Sequence, residues 1–299
     1  MSTIKMHELY NWCKIPYTEL VNHPLLKIPF RLCNDSIDMG QIMARELVDE
    51  IKIHNEKSEV TRAIIPCGPR GWYKPFTDLV NKEKVSLKKL MVFHMDECLD
   101  WQGRELPRKH PYSFRGFMEK HFYEPVNAEI AVPKENRKWL NANNIEEIKA
   151  EIWKEPIHIT YGGWGQDGHV AYNQARRHPL NHITINEFRD STIRIQENNI
   201  DTILALAQRT FGTAYQFVPP MSVTLGVKEC LSAKKIRLFS DTGAWKQTAL
   251  RVALFGPITL EYPITLLQEH PDALLTATIE TASHPISEHP EWDLGVSPE

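Results

Sequence analysis

The sequence lacks any long apolar run. A helix that crosses a membrane needs roughly 18 uninterrupted apolar residues, and no stretch of the chain approaches that length. The opening segment carries His7 and Glu8 where a signal peptide would be apolar. We therefore expect a cytoplasmic protein that does not bind a membrane.

Closely spaced cysteine pairs are also missing. The five cysteines are an odd number without a CxxC spacing, which fits neither a disulfide framework nor a zinc site. We interpret them as reduced thiols and expect neither a metal ion nor an organic cofactor. Cys67 and Cys98 lie near the motifs described below, where a small buried hydrophobe is a better interpretation than a nucleophile.

An excess of charge of one sign is absent as well. The formal net charge is only -3, and the Lys and Arg residues are scattered along the chain. Such a balance does not attract nucleic acid, so no nucleic-acid partner is expected. The sequence leaves the oligomeric state open, and a homo-oligomer is one of the alternatives.

The composition that is present is that of an ordinary globular protein, with 42% hydrophobic and 24% charged residues in 299 positions. We predict one main domain over residues 30–280, without internal repeats. Residues 1–29, interrupted by prolines, are expected to form an arm packed on that domain. Residues 281–299, rich in Pro, His and Glu, are predicted to be a surface tail.

Short β-rich runs alternate with helical stretches along the main domain. An apolar stripe over residues 37–51, preceded by capping residues at 34–36, predicts a helix. Strands are predicted at residues 63–66, 90–95, 157–161 and 236–240. This alternation predicts an α/β fold in which helices cover both faces of a mainly parallel sheet. Ligands bind such folds at the carboxyl ends of the strands.

A glycine-rich stretch, Gly-Gly-Trp-Gly-Gln-Asp-Gly-His-Val-Ala-Tyr-Asn at 162–173, follows the third of these runs. Glycines at this density let the backbone approach a ligand closely. Asp167, two residues before His169, can orient the imidazole and favour its charged form. The pair is a candidate acid/base unit; the alternative is a glycine turn with a solvated Asp and His.

Two further motifs follow β-rich runs. Phe-His-Met-Asp-Glu at 93–97 ends an apolar strand in two carboxylates, and a partly desolvated Asp96 is a candidate general base. The alternative is a turn or helix cap. Pro-Cys-Gly-Pro-Arg-Gly at 66–71 is a strand-to-helix turn in which Gly68, Arg70 and Gly71 are candidates to hold an anion, although an ordinary loop fits nearly as well.

In their order along the chain, the motifs at 66–71, 93–97 and 162–173 resemble those of the glucosamine-6-phosphate deaminases and their 6-phosphogluconolactonase relatives. The segments at 110–117, 224–227, 243–246 and 267–271 also fall in the family order, so the resemblance covers about residues 30–280. Ala171-Tyr172-Asn173 is similar to the Ala-Phe-Asn of the deaminases, which favours the deaminase branch.

The resemblance implies a Rossmann-like three-layer α/β/α sandwich. It also implies that an amino-sugar 6-phosphate and water are converted into a ketose phosphate and ammonia. By this resemblance, Asp96 would move a proton between C2 and C1, and His169, oriented by Asp167, would open the sugar ring. Arg194 and Lys246 would hold the phosphate.

The sequence departs from the family pattern in three segments. The family carries Glu where this sequence has Gln174, and a neutral amide cannot stabilise a protonated His169 by charge. Pro69 and Arg70 replace small or hydroxyl-bearing residues; proline lacks an amide donor, whereas arginine adds a forked cation suited to phosphate or carboxylate. Trp164 replaces an aliphatic residue, and predicts either a larger core side chain or a reshaped sugar pocket.

Two other functions remain compatible with these motifs. In a lactone hydrolase, His169 would activate water and Asp96 would not be essential. In a sugar-phosphate-binding protein without turnover, Gln174 and the altered turn would mark the loss of catalysis.

Overall fold

The computed structural model describes residues 4–175, 180 and 182–296. The strands are β1 (Phe30–Cys33), β2 (Thr61–Ile65), β3 (Leu90–His94), β4 (Asp96–Leu99), β5 (Arg137–Lys138), β6 (Ile159–Gly162), β7 (Arg194–Glu197), β8 (Met221–Thr224), β9 (Lys235–Ser240) and β10 (Ala273–Thr278). Among the described residues, the main sheet has seven strands in the order β1-β10-β9-β6-β2-β3-β5, with every neighbouring pair parallel.

Helices cover both faces of this sheet. They are α1 (Met6–Lys14), α2 (Tyr17–Leu20), α3 (Ser36–Glu56), α4 (Tyr73–Glu83), α5 (Phe114–Met118), α6 (Ile145–Ile152), α7 (Ile185–Arg189), α8 (Ile200–Thr210), α9 (Val227–Leu231), α10 (Gln247–Phe255), α11 (Ile279–Ala282) and α12 (Pro285–Glu288). A π-helical turn at Glu119–Tyr123 continues α5, and short 3-10 turns occur at Lys134–Asn136, Tyr215–Phe217, Ala244–Lys246 and Pro263–Glu269.

The alternation of side chains along a strand explains the layers. In β2, Ala63 and Ile65 belong to the apolar core with α3 and α4, whereas Ile64 between them belongs to the core with α6. Successive side chains of a strand point to opposite faces, so a wholly apolar strand fills two cores at once. The predicted three-layer α/β/α sandwich is confirmed.

The predicted helix and the four predicted strands are confirmed as α3, β2, β3, β6 and β9. Helix α3 begins after Asp35, whose carboxylate accepts hydrogen bonds of 2.9 Å from the amides of Ile37 and Asp38. This N-cap satisfies amides that have no partner within the helix. Within the described segments, no helix is both long and apolar enough to cross a membrane.

A second sheet places part of the candidate site. Only Met95 separates β3 from β4, so the chain leaves the main sheet at Asp96 and joins a small antiparallel sheet in the order β4-β8-β7. In the register of this sheet, Thr224 lies opposite Asp96 on one side and Arg194 on the other. The catalytic candidate Asp96 therefore lies at the junction of the two sheets.

Candidate active site

A cavity of about 410 Å³ opens beside the ends of β2, β3, β6 and β9. These are the carboxyl ends of neighbouring parallel strands, the edge at which this class of fold binds ligands. Helix α8 supplies further lining residues. Of the predicted site residues, Gly68, Arg70, Gly71, Asp96, His169 and Lys246 line the cavity.

Residues 163–175, which follow β6 and are called the His169 loop below, fix the imidazole. The Nδ1–H of His169 donates to Asp167 Oδ1 over 2.6 Å, and the backbone amide of His169 donates to the same oxygen over 3.2 Å. The amide of Ala175 donates to Asp167 Oδ2 over 3.1 Å. Burial opposes ionisation of Asp167, but His169 and these amides outweigh it and hold the pKa of the carboxyl below its ordinary value.

Two glycines of the His169 loop are required by close approach or backbone angle. A Cβ on Gly165 would lie 2.1 Å from Cε1 of His169, so the imidazole occupies the space that a side chain would need. Gly168 has a φ of +74°, in the left-handed region that favours glycine. Because Nδ1 of His169 is engaged by Asp167, its Nε2 is left for a ligand in the cavity.

Asp96 and Glu97 are adjacent carboxyls with different surroundings. The Glu97 carboxylate accepts hydrogen bonds from the amides of Cys98, Phe114 and Arg115 at 3.0, 2.8 and 2.7 Å, and so anchors the start of α5. Within the described residues, the Asp96 carboxyl has no hydrogen-bond partner, and it lines the cavity. Burial and, secondarily, Glu97 raise the pKa of Asp96 to about 8.

Cys67 and Cys98, the cysteines near the site, are buried, as predicted. Burial raises the pKa of the Cys67 thiol to about 12 and raises that of Cys98 well above its ordinary value. The Cys98 sulfur lies 3.3 Å from the hydroxyl of Tyr172, a residue of the His169 loop. Neither thiol is placed as an ionised nucleophile.

Lys246 approaches the cavity from the loop after β9. Its side chain is partly buried, and its ammonium lies 5.0 Å from the ring centroid of Trp245. In the part of the chain that the structure describes, the ammonium has no carboxylate within salt-bridge distance. Burial, followed by the nearby charge of Arg209, lowers the pKa of Lys246 to about 7, while Asp241 acts in the opposite direction.

Arg70 lies on the turn between β2 and α4. Its guanidinium stacks 4.1 Å from the ring centroid of Phe117 and donates a 3.3 Å hydrogen bond to the carbonyl of Pro111. A ring and a neutral carbonyl orient the guanidinium without neutralising it. No carboxylate of the described residues pairs with Arg70, which therefore presents its positive charge at the cavity.

Arg209, a residue that the sequence analysis did not identify, is a further cation at the cavity. It lies on α8 with its guanidinium 4.9 Å from the ring centroid of Trp245. Arg70, Arg209 and Lys246 are called the cation group below. Asp96 and Asp241 are the acidic side chains among the described lining residues, and the raised pKa of Asp96 keeps it mostly uncharged near neutral pH. The lining is therefore suited to an anionic ligand.

Gln174 and Arg194 are not among the described residues that line the cavity. The Gln174 side chain is buried, where it accepts a 2.7 Å hydrogen bond from the amide of Asn199 and donates over 3.2 Å to the carbonyl of Glu197. These bonds tie the His169 loop to the start of α8. Arg194 lies in β7 and donates to the carbonyl of Thr192 over 3.4 Å.

Trp164 is buried in the apolar cluster of α10 and β10, as the larger core side chain of the first alternative, and it also lines the cavity. A reshaped sugar pocket stays a prediction. The residues of α8 that line the cavity recur at intervals of three and four, as one helical face: Thr202, Ala205, Leu206, Arg209 and Thr210. Because their polarity is mixed, the sequence shows no apolar or polar stripe that would have identified this face. Within the described residues, no group of His, Cys, Asp and Glu side chains is placed to hold a metal ion.

The fold is shared with solved enzyme structures, although no protein-family model matches the sequence. A monomeric glucosamine-6-phosphate deaminase of the NagB superfamily is similar with a TM-score of 0.71 and 23% identity, over 85% of this chain and 98% of that one. The 6-phosphogluconolactonase from Trypanosoma cruzi is similar with a TM-score of 0.60 and 15% identity, over 88% and 99%.

The 6-phosphogluconolactonase from Thermotoga maritima is similar with a TM-score of 0.57 and 15% identity, over 83% of this chain and 98% of that one. At identities below 25%, these TM-scores establish the shared fold alone. At the level of the fold, the resemblance predicted from the sequence motifs is confirmed.

Proposed function

We propose that this chain is an aldose-ketose isomerase/deaminase that converts an amino-sugar 6-phosphate into a ketose phosphate and ammonia. The observation that carries the proposal is a single cavity lined by Asp96, His169 and cations without carboxylate partners among the described residues. A sugar phosphate needs all three: a base for the carbon-bound proton, an acid/base for the ring, and charge for the phosphate.

Asp96 is proposed to move the proton between C2 and C1. A carboxylate with few hydrogen bonds in a partly desolvated place is a stronger base than one in water, because burial disfavours its charge. Glu97, which is held by three backbone amides, is less suited to that role.

His169 is proposed to open the sugar ring. Asp167 accepts from Nδ1, so Nε2 of the imidazole takes the proton of the C1 hydroxyl and returns it to the ring oxygen as the bond between C1 and that oxygen breaks. The carboxylate of Asp167 also stabilises the imidazolium that results. Gly165 permits this arrangement by leaving room for the ring.

Lys246 and the turn at Gly68, Arg70 and Gly71 are proposed to hold the phosphate. The turn leads into the start of α4, where backbone amides without helical partners favour an anion. Holding the phosphate at one end places the reacting carbons against fixed catalytic groups, which makes proton transfer effectively intramolecular.

Lactone hydrolysis is the second candidate, and the position of Gln174 favours it. Gln174 hydrogen-bonds to backbone near α8 and not to His169, so the Asp167–His169 pair acts without a third side chain in that place. Such a pair suffices to activate water, and this reaction would not need Asp96 as a base.

A substrate panel separates these functions. The purified chain is assayed for ammonia release with 6-phosphates of 2-amino-2-deoxyhexoses, and for hydrolysis with 6-phospho-aldonolactones. The proposal predicts ammonia and a ketose phosphate in equal amounts. Lactone hydrolysis that Asp96→Asn leaves intact supports the second candidate. Binding of the sugar phosphates without turnover of any panel member contradicts both catalytic functions.

A further inference from the structure

Asp241 is a carboxylate in a part of the cavity that is otherwise suited to an anion. It is the first residue after β9, and it lines the cavity together with Lys246 and the turn of Gly68 to Gly71. A Cβ on Gly71 would lie 3.7 Å from Oδ2 of Asp241. The carboxylate therefore lies beside the turn to which the proposed function assigns the phosphate.

Asp241 is also near Lys246 without pairing with it. Burial and the charge of Arg209 lower the pKa of Lys246, and the charge of Asp241 opposes them. Within the described residues, no carboxylate reaches the ammonium of Lys246 at salt-bridge distance, and no donor hydrogen-bonds to the half-buried side chain of Asp241. Both groups are therefore left to contact a ligand in the cavity.

A carboxylate in this place conflicts with a fully ionised phosphate. The two groups repel each other, and both can only accept hydrogen bonds. A proton on the phosphate removes the conflict, because its P–OH donates to Asp241 while its other oxygens accept from Lys246 and from the backbone amides of the turn. The second pKa of a phosphate monoester is about 6, so the protonated form is present near neutral pH.

We propose that Asp241 makes the cavity select a phosphate that carries a proton, and thereby distinguishes a phosphate ester from a sulfate ester or a sugar carboxylate. This inference rests on the proposed function, since it specifies which anionic group the same cavity accepts. A sulfate or carboxylate has no proton to donate near neutral pH, so either would place an acceptor of like charge against Asp241. Discrimination then arises from repulsion of the wrong group as well as from attraction of the right one.

Calorimetric titration of the full chain with inorganic phosphate and inorganic sulfate near neutral pH tests the assignment without requiring turnover. Phosphate keeps at least one proton under these conditions, whereas sulfate has none. We expect the wild type to bind phosphate at least about tenfold more tightly than sulfate. Asp241→Asn, whose amide can donate to an unprotonated oxygen, should bind sulfate about tenfold more tightly than the wild type does, and should lose most of the discrimination.

Glu59→Gln is the matched control for the loss of one negative charge. Glu59 is exposed and precedes β2, so it lies at the end of the strand opposite to the cavity. Because a distant exposed charge is screened by salt, this variant should stay within about twofold of the wild type for both anions.

A gain in sulfate affinity cannot result from lost folding, so that outcome supports the inference directly. If Asp241 serves only to place Lys246, Asp241→Asn should weaken the binding of both anions together, and that result overturns the inference. A wild type that does not prefer phosphate to sulfate overturns it as well, as does an unchanged sulfate affinity in Asp241→Asn. If the two anions behave as predicted but no amino-sugar phosphate is turned over, the proposed reaction fails while the selection by Asp241 holds.

Discussion

The His169 loop and the cation group are held in place by different kinds of contact. In the loop, the amides of Gly165 and Gly168 donate backbone hydrogen bonds to the carbonyls of His169 and Gly165. Both oxygens of Asp167 accept hydrogen bonds, one from Nδ1 of His169 and the other from the amide of Ala175. The cation group is oriented by aromatic rings and a neutral carbonyl. The imidazole assigned to ring opening is thus fixed before substrate arrives, whereas the groups assigned to charge are left for the ligand to neutralise.

This difference predicts different responses to mutation. Changes in the His169 loop or at Asp96 should act mainly on kcat, because they disturb atoms that react. Changes in the cation group should act mainly on KM, because they remove binding that is uniform between substrate and transition state.

Asp96→Asn should produce the largest effect. We expect kcat for ammonia release to fall by about 10³-fold, since the amide cannot accept the carbon-bound proton. The pKa of Asp96 is raised in the folded protein from 3.8 to about 8, so its stabilising contribution is complete below about pH 4 and is lost as the pH rises toward 8. Asp96→Asn should therefore flatten the fall in Tm between about pH 5 and about pH 9.

A retained kcat in Asp96→Asn would remove Asp96 from the reaction. A variant whose Tm depends on pH as steeply as that of the wild type would instead show that the carboxyl is not desolvated in the free protein.

Gly165→Ala should have the next largest effect. Its Cβ would clash with the imidazole at 2.1 Å, so His169 must move away from its place in the cavity. We expect kcat to fall by about 10²-fold, because a displaced acid/base loses its alignment with the substrate. In a double-mutant cycle, Gly165→Ala should add little to His169→Gln. Full additivity would mean that the glycine serves some purpose other than accommodating the ring.

Lys246→Arg should change the pH dependence of phosphate affinity. Because the pKa of Lys246 is lowered to about 7, the free wild-type protein loses this charge as the pH rises above neutrality. We expect affinity for inorganic phosphate to fall by about three- to tenfold between pH 7 and pH 9 in the wild type. Lys246→Arg, whose guanidinium stays protonated, should show a smaller fall. Parallel curves in the two proteins would contradict a titrating Lys246.

Gln174→Glu should have the smallest effect on chemistry. The glutamate cannot donate to the carbonyl of Glu197, so we expect a loss of about 1–3 kcal/mol in the free energy of unfolding. The pH profile of kcat/KM should match that of the wild type, with Gln174→Ala as the control for loss of both hydrogen bonds. An acid limb displaced upward would show that the new charge reaches His169 after all, as the family motif implied.

The main elements of the fold were predictable because local signals agreed with the final packing. The stripe in α3 and the apolar runs of β2, β3, β6 and β9 are buried as their patterns indicate. Strands β1 and β10 were not predicted. They pair with each other although they lie at opposite ends of the chain, and a local sequence pattern does not reveal such a pairing. Helix α1 packs against α10 and α12, and its sequence gave no period from which to predict it.

The site was predictable where chemistry is local in sequence. Asp167 and His169 interact across two residues, so the motif alone places them together. Arg209 and Lys246 meet only because α8 is placed beside the loop after β9, and spacing in the chain carries no such information. For the same reason, Gln174 was expected beside His169, whereas its amide hydrogen-bonds to backbone at the start of α8.

A crystal structure with an amino-sugar 6-phosphate bound to the Asp96→Asn protein would test the central claim most directly. We predict that the phosphate lies at Lys246 and the turn of Gly68 to Gly71, with C1 and C2 beside residue 96 and the ring oxygen about 3 Å from Nε2 of His169. A sugar phosphate bound outside this cavity, or with its phosphate beside residue 96 and its C1 at the cation group, would contradict the account.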